Sequence, residues 1–412
     1  MAETAGRRGL GGRQECVVCG GSIDKETDMA VKIEGTCDPR FKNVRDAFGA
    51  NFENGLEVGA AVAATLDGKP IFDLWGGYTD KAKTKPWTRD TLVNVYSTTK
   101  GITSICAHRL VDQGKLDLDA PVSKYWPEFA QAGKEKIPVN YLLSHRAGLP
   151  AVKKQLPMDA YWNWPVMCSA LAAQEPWWVP GTQHGYHAIS FGYLVGEVIR
   201  RITGKTPGTY LREEIAGPLG LDIHIGVDAS FDPRIAELMT APPPDKPDQV
   251  ATMAADPESM TFKAIANPRP VVDAALVNSR AWRGAEVPAA NGHATARALA
   301  SLYGGLAIGG ELNGYRVLTP ASIKRAHTEQ ANGPDLVLGV VTRWGLGFSL
   351  NQPVAPIGPN PRTFGHPGAG GSLGFADPDA RVGFGYTMNQ MGADALIDGR
   401  ASSLFNAMFA AL

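Results

Sequence analysis

The 412-residue chain contains no apolar run near the roughly 20 residues that a membrane span requires. Its opening segment carries three arginines (Arg7, Arg8 and Arg13) but no apolar stretch of the kind that follows them in a secretory signal. Neither sign of charge dominates: 40 Lys and Arg stand against 41 Asp and Glu, for a net charge of −1. Such a balance gives no field to hold nucleic acid or an anionic membrane surface. Cysteine is scarce too. The five (Cys16, Cys19, Cys37, Cys106, Cys168) are odd in number and scattered, which excludes a disulfide framework and points to reduced thiols. Cys16 and Cys19 form C-x-x-C, yet no second Cys or His pair lies near enough in sequence to complete a zinc site. Histidines and carboxylates show no metal-ligand spacing, and no glycine-rich loop runs into a G-K-[ST] helix start. The expectation is a cytoplasmic protein with no metal, cofactor or nucleic acid partner. Residues 1–28 are Gly- and Arg-rich with few large apolar side chains and read as a loose tail.

What is present is a long, apolar-rich chain able to bury a sizeable pocket. The segment 56–80 has two alternating apolar runs around Asp67-Gly68, a dipeptide suited to a tight hairpin. Residues 343–350, 362–377 and 381–390 are again strand-like, and 393–412 has helical spacing through Leu396, Leu404 and Met408. Between these ends the pattern is mostly helical. The clearest case is Phe191, Leu194, Val195, Val198 and Ile202, with Gly204 as the stop. The fold class read from this order is α+β: an antiparallel sheet built from both termini and flanked by helices, with a mostly helical subdomain inserted. Boundaries are set at 29–114 plus 325–412 for the sheet-bearing part and 115–324 for the helical part, with a site at their interface. The proline-rich stretches 240–249 and 266–273 read as surface excursions.

Ser97 ends a strand-like run, and Lys100 follows at i+3, where a starting helix puts both side chains on one face. A hydroxyl there meets exposed backbone N–H groups and the positive end of the helix dipole. A desolvated lysine can lose its proton near neutral pH and activate such a serine. The competing reading is a polar helix cap. A second S-x-x-K, Ser22 to Lys25, lies in the glycine-rich tail with no helix to align it.

Further along, Pro180-Gly181-Thr182 precedes Tyr186, Leu142–Pro150 reads LLSHRAGLP, and a glycine-rich strand edge runs through His366, Gly368 and Ala369. The order and spacing of these segments, from about residue 36 to 412, resemble the serine β-lactamase and penicillin-binding-protein superfamily, whose S-x-x-K serine is the nucleophile. More narrowly the chain is similar to the class C β-lactamase-like carboxylesterases, the family VIII esterases. The resemblance implies acylation at Ser97, with Lys100 and Tyr186 exchanging its proton. It also implies an oxyanion hole from the backbone N–H groups of Ser97 and Ala369. His366-Pro367-Gly368 falls where the lactamases have K-T-G, which makes His366 and Gly368 substrate contacts. Tyr186-His187-Ala188 replaces their Y-x-N. Losing that amide and that lysine favours neutral esters over lactams.

Trp162, Trp164, Trp177 and Trp178 cluster before the tyrosine motif, either walling an acyl pocket or packing the core. Trp178 and His187 are taken as pocket residues, and His145 as structural. Gly370–Gly374 matches the G-x-S-x-G elbow of α/β-hydrolases, but that fold needs a histidine after the serine and none follows Ser372. The function expected is a serine esterase acting on small acyl esters, short chains preferred, through an acyl-enzyme. Its rivals are a β-lactamase, a D-amino-acid peptidase or an acyltransferase on the same scaffold, or a binding protein that has lost catalysis.

Overall fold

The computed structural model describes residues 31–241, 249–394 and 396–412. The tail, the Cys16/Cys19 pair, the Ser22/Lys25 copy and most of the excursion at 240–249 lie outside the described residues. The centre is a nine-stranded sheet in the order Glu34–Cys37, Lys69–Gly77, Gly59–Leu66, Val382–Met388, Leu373–Asp377, Phe364–Pro367, Ser349–Leu350, Val341–Trp344, Ala331–Pro334. Every pairing is antiparallel. The two ends of the chain meet where Val62 pairs with Tyr386, so the sheet is built from both termini as expected. The Asp67-Gly68 turn forms with φ of 51° and 75°. Positive values at both central positions are what a twist-matched two-residue hairpin demands.

Both faces of the sheet are covered, and the strand Gly59–Leu66 shows how. Its Ala61 and Ala63 belong to the larger core, while Ala60, Val62 and Ala64 face the smaller one, the period-two alternation of a strand. On the smaller side the helices Lys42–Glu53 and Gly399–Phe409 bring Phe48, Leu404, Phe405 and Met408 against Phe375, Phe384 and Tyr386. On the other side the helix Ala296–Ala307 lies directly on the sheet. A Cβ at Gly383 or Gly385 would overlap its backbone, so glycine at these alternate positions permits the close approach.

The helix Thr98–Asp112 is buried on nearly every side. It packs against the helix Ser190–Thr203 and the strand Phe364–Pro367, which places its first turn between the sheet and the helical segments. Gly204 ends the helix Ser190–Thr203 in the left-handed conformation, φ 70°, as its sequence position predicts. Two expectations are corrected. The last helix starts at Gly399 rather than near 393, because the Asp398 side chain caps it by accepting from the Arg400 N–H. The stretch 266–273 is not a surface excursion: Asn267 and Val271 are buried, and the Val271 carbonyl accepts a hydrogen bond from Tyr96. No helix of the described residues is long and apolar enough to cross a membrane.

Candidate active site

The short strand Val93–Asn94 leads into Tyr96, whose φ of 40° lies in the left-handed region. For a non-glycine residue that costs about 1–3 kcal/mol and persists only where surrounding contacts enforce it. Here they do. The ring is buried, its hydroxyl donates to Val271 O at 3.3 Å, and its carbonyl accepts from Thr99 N at 2.9 Å. The bend delivers Ser97 to the N-cap of the helix Thr98–Asp112, where its side chain makes no capping bond. The polar-cap reading therefore loses its defining interaction, and the hydroxyl is available for other work.

Ser97 Oγ lies 3.0 Å from Lys100 Nζ. Lys100 is fully buried, and Nζ also donates to Ala188 O at 2.7 Å and Ala289 O at 3.0 Å. Burial holds its pKa well below the usual lysine value. A neutral amine has two N–H bonds and one lone pair. The two carbonyls can only accept, so in the neutral form they take both N–H bonds and the lone pair is the part that faces the serine. The same nitrogen sits 4.7 Å from the centroid of the Tyr186 ring. Burial is the main influence on the Tyr186 phenol and raises its pKa; the nearby Ser97 side chain opposes the rise and Asp335 adds to it. At neutral pH Tyr186 is thus a phenol. The three groups singled out by the sequence come together in one place.

His366 stands on the strand Phe364–Pro367, its ring 6.1 Å from that of Tyr186. Its Nδ1 donates to Pro367 O at 2.7 Å, and burial, with Lys100 adding to it, lowers its pKa to about 3. It is a neutral imidazole whose Nε2 has no partner. Gly368 abuts the turn before Ser97: a Cβ there would overlap the Val95 carbonyl and the Ser372 hydroxyl. Ser372 itself is buried, donates to Val95 O at 2.8 Å and lies 3.1 Å from Thr98 Oγ1. It ties the loop that carries Ala369 to the strand before Ser97.

The other side of that loop is held by Arg400, which donates to Gly370 O at 2.8 Å, to Asp398 Oδ2 at 2.7 Å and to Glu57 Oε2 at 3.0 Å. All three charged groups are buried. Removing the cation strands two carboxylates in the interior, so Arg400→Ala is expected to lower the unfolding free energy by about 3–5 kcal/mol in a urea titration. A loss below about 1 kcal/mol, the scale of an exposed pair, would contradict this account of the cluster.

His187 is corrected. It is fully buried, Nδ1 donates to Gly185 O at 2.7 Å and Nε2 accepts from Leu149 N at 3.1 Å, so neither ring nitrogen is left over to bond a substrate. His145 accepts from His187 N at 3.1 Å and braces the same loop. Trp178 is buried beside this loop, with Nε1 donating to Gln183 O at 3.1 Å and its ring edge-on to His187. Trp164 and Trp177 bind Glu197 and the Ala151 carbonyl, and Trp162 is exposed. The tryptophan stacked on Tyr186 is Trp344, at 5.4 Å and 13° between planes. It also stacks on His366 at 5.7 Å. Trp344 lies at the end of a strand with no motif around it, so no local sequence signal marks it.

A model of the beta-lactamase family matches residues 48–406. The chain belongs to the beta-lactamase family. It is 37% identical over 371 residues to the esterase/beta-lactamase LipL of Mycobacterium tuberculosis (strain ATCC 25618 / H37Rv), a match covering 88% of this chain and 84% of LipL. Among solved structures it is similar to a family VIII carboxylesterase, with a TM-score of 0.86 at 43% identity over 92% of this chain and 100% of that one. A penicillin-binding protein homologue from Caulobacter crescentus gives a TM-score of 0.85 at 42% identity, again over 92% and 100%. The β-lactamase/transpeptidase-like fold read from the sequence is the fold this family member adopts. Within it, Ala188 fills the third position of the tyrosine motif, and its carbonyl serves Lys100. Among the described residues no group of three or more His, Cys, Asp or Glu is placed to hold a metal ion.

Proposed function

We propose that this protein is a serine hydrolase of carboxylic esters that works through an acyl-enzyme on Ser97. One observation carries the reading: an amine buried from solvent, its pKa held well below the usual lysine value and its Nζ bonded to two carbonyls, lies 3.0 Å from a serine hydroxyl. Lys100 takes the Ser97 proton as Oγ attacks the ester carbonyl. The N–H groups of Ser97 and Ala369 stabilise the oxyanion. The Tyr186 phenol protonates the departing alkoxide and recovers its proton from Lys100. Water then enters, gives its proton back through the same pair, and releases the acid.

The choice of ester rests on charge. Burial holds His366 neutral and disfavours the charged form of Lys100, and the hydroxyl of Tyr186 stays protonated. None of these three described groups offers a fixed cation for the carboxylate of a lactam, whereas a neutral acyl ester needs none. The names of the relatives, a carboxylesterase and an esterase/beta-lactamase, support the same choice. Short acyl chains and a cytoplasmic setting complete the proposal. Steady-state hydrolysis of p-nitrophenyl acetate and butyrate beside nitrocefin tests it: kcat/KM is expected to be higher for both esters. A higher value for nitrocefin would make this a β-lactamase.

A further inference from the structure

Tyr186 is held from two directions by one buried carboxylate. Asp335 follows the edge strand Ala331–Pro334 and is 2% exposed. Its Oδ1 accepts from the backbone N–H of Tyr186 at 2.9 Å, and from Val337 N at 2.9 Å and Leu338 N at 3.0 Å. Its Oδ2 accepts from Thr342 Oγ1 at 3.1 Å. That hydroxyl has a single proton, which it spends on Asp335, so its lone pairs receive the Trp344 Nε1–H at 2.8 Å and the His184 Nε2–H at 2.9 Å. Trp344 in turn stacks flat on the Tyr186 ring. One arm of this network fixes the tyrosine backbone, and the other fixes the wall against which its ring lies.

We infer that Asp335 is a positioning residue for the proton transfer at Tyr186, holding the phenol over Ser97 through the Tyr186 N–H and through the Thr342–Trp344 arm. The inference rests on the reading above, in which Tyr186 moves protons for Ser97. Its electrostatic effect has the same sense, since the Asp335 charge helps keep the phenol protonated and able to donate. The network's Trp344 arm also stacks on His366, a residue that moves no proton in the proposed chemistry. Its loss should therefore be felt as a misplaced phenol, and misplacement by about an ångström can cost roughly 10²-fold in rate.

A double-mutant cycle with p-nitrophenyl butyrate decides the matter. Asp335→Asn keeps the shape and is expected to lower kcat by roughly 10²-fold with KM changed by less than about threefold. Placed on a Tyr186→Phe background, the same change should cost almost nothing more, because the proton it positions is already gone. An equal loss in both backgrounds would overturn the inference and make Asp335 a general structural residue. If Asp335→Asn does not fold, Thr342→Val breaks only the second arm. A fall in kcat that vanishes on the Tyr186→Phe background supports the inference, and an unchanged kcat overturns it. A Tyr186→Phe enzyme as active as the wild type would defeat the underlying role of Tyr186, an outcome distinct from additivity.

Discussion

Ser97→Ala is expected to abolish ester hydrolysis, with a loss on the order of 10⁶-fold, and to take up no fluorophosphonate label. The size follows from the kind of step removed. Without the hydroxyl there is no acyl-enzyme, and only binding and oxyanion stabilisation remain. The chain has a second serine in an esterase-like motif, so the control matters as much as the test. Ser372 is buried, spends its proton on Val95 O and lies 3.1 Å from Thr98 Oγ1. Ser372→Ala should keep the label and lose about 1 kcal/mol of stability from the missing hydrogen bond. Labelling that survives Ser97→Ala and disappears with Ser372→Ala would reverse the assignment.

Lys100→Met should cut kcat/KM by 10²–10⁴-fold, the usual range for a positioned base, while the protein still folds. Methionine fills much of the same buried volume without a proton to move. The two protonation states also give the substitution a second signature. The folded chain disfavours the lysine cation, so the unfolded chain binds more protons between the depressed folded pKa and the ordinary lysine value. Unfolding free energy must then rise with pH across that window. The penalty is complete below the folded pKa and fades as pH approaches the unfolded value. Wild-type stability minus that of Lys100→Met should therefore increase with pH in urea titrations from neutral to mildly alkaline buffer. Activity should rise through the same folded pKa, because the neutral amine is the competent form. A stability difference flat in pH would mean that Lys100 is charged in the fold.

The parts of this account legible in the sequence are those fixed by neighbours in the chain. Asp67-Gly68 makes its hairpin because two positive φ values are needed there, and Gly204 stops its helix for a related reason. Ser97 and Lys100 meet because a helix places i and i+3 together. Tyr186 could be added only through a resemblance, since its approach depends on the packing of distant segments. Trp344, Asp335 and Arg400 were invisible for the same cause. Asp335 and the Tyr186 N–H it accepts from are 149 residues apart in sequence, and Arg400 reaches Glu57 across 343. No spacing rule spans such distances. His187 shows the opposite error. Adjacency to Tyr186 suggested a shared pocket, but its ring is turned into the backbone between Gly185 and Leu149. The stretch at 266–273 misled because proline marks irregular backbone, and irregular backbone can be buried when its carbonyls find donors such as Tyr96 and Tyr161.

The most direct test of the central claim is to quench the enzyme in acid shortly after mixing with p-nitrophenyl butyrate and to map the butyryl group by peptide mass spectrometry. The account predicts one butyryl group, on the peptide that carries Ser97. A butyryl group on the peptide that carries Ser372, or turnover in which no acylated peptide forms, would contradict it.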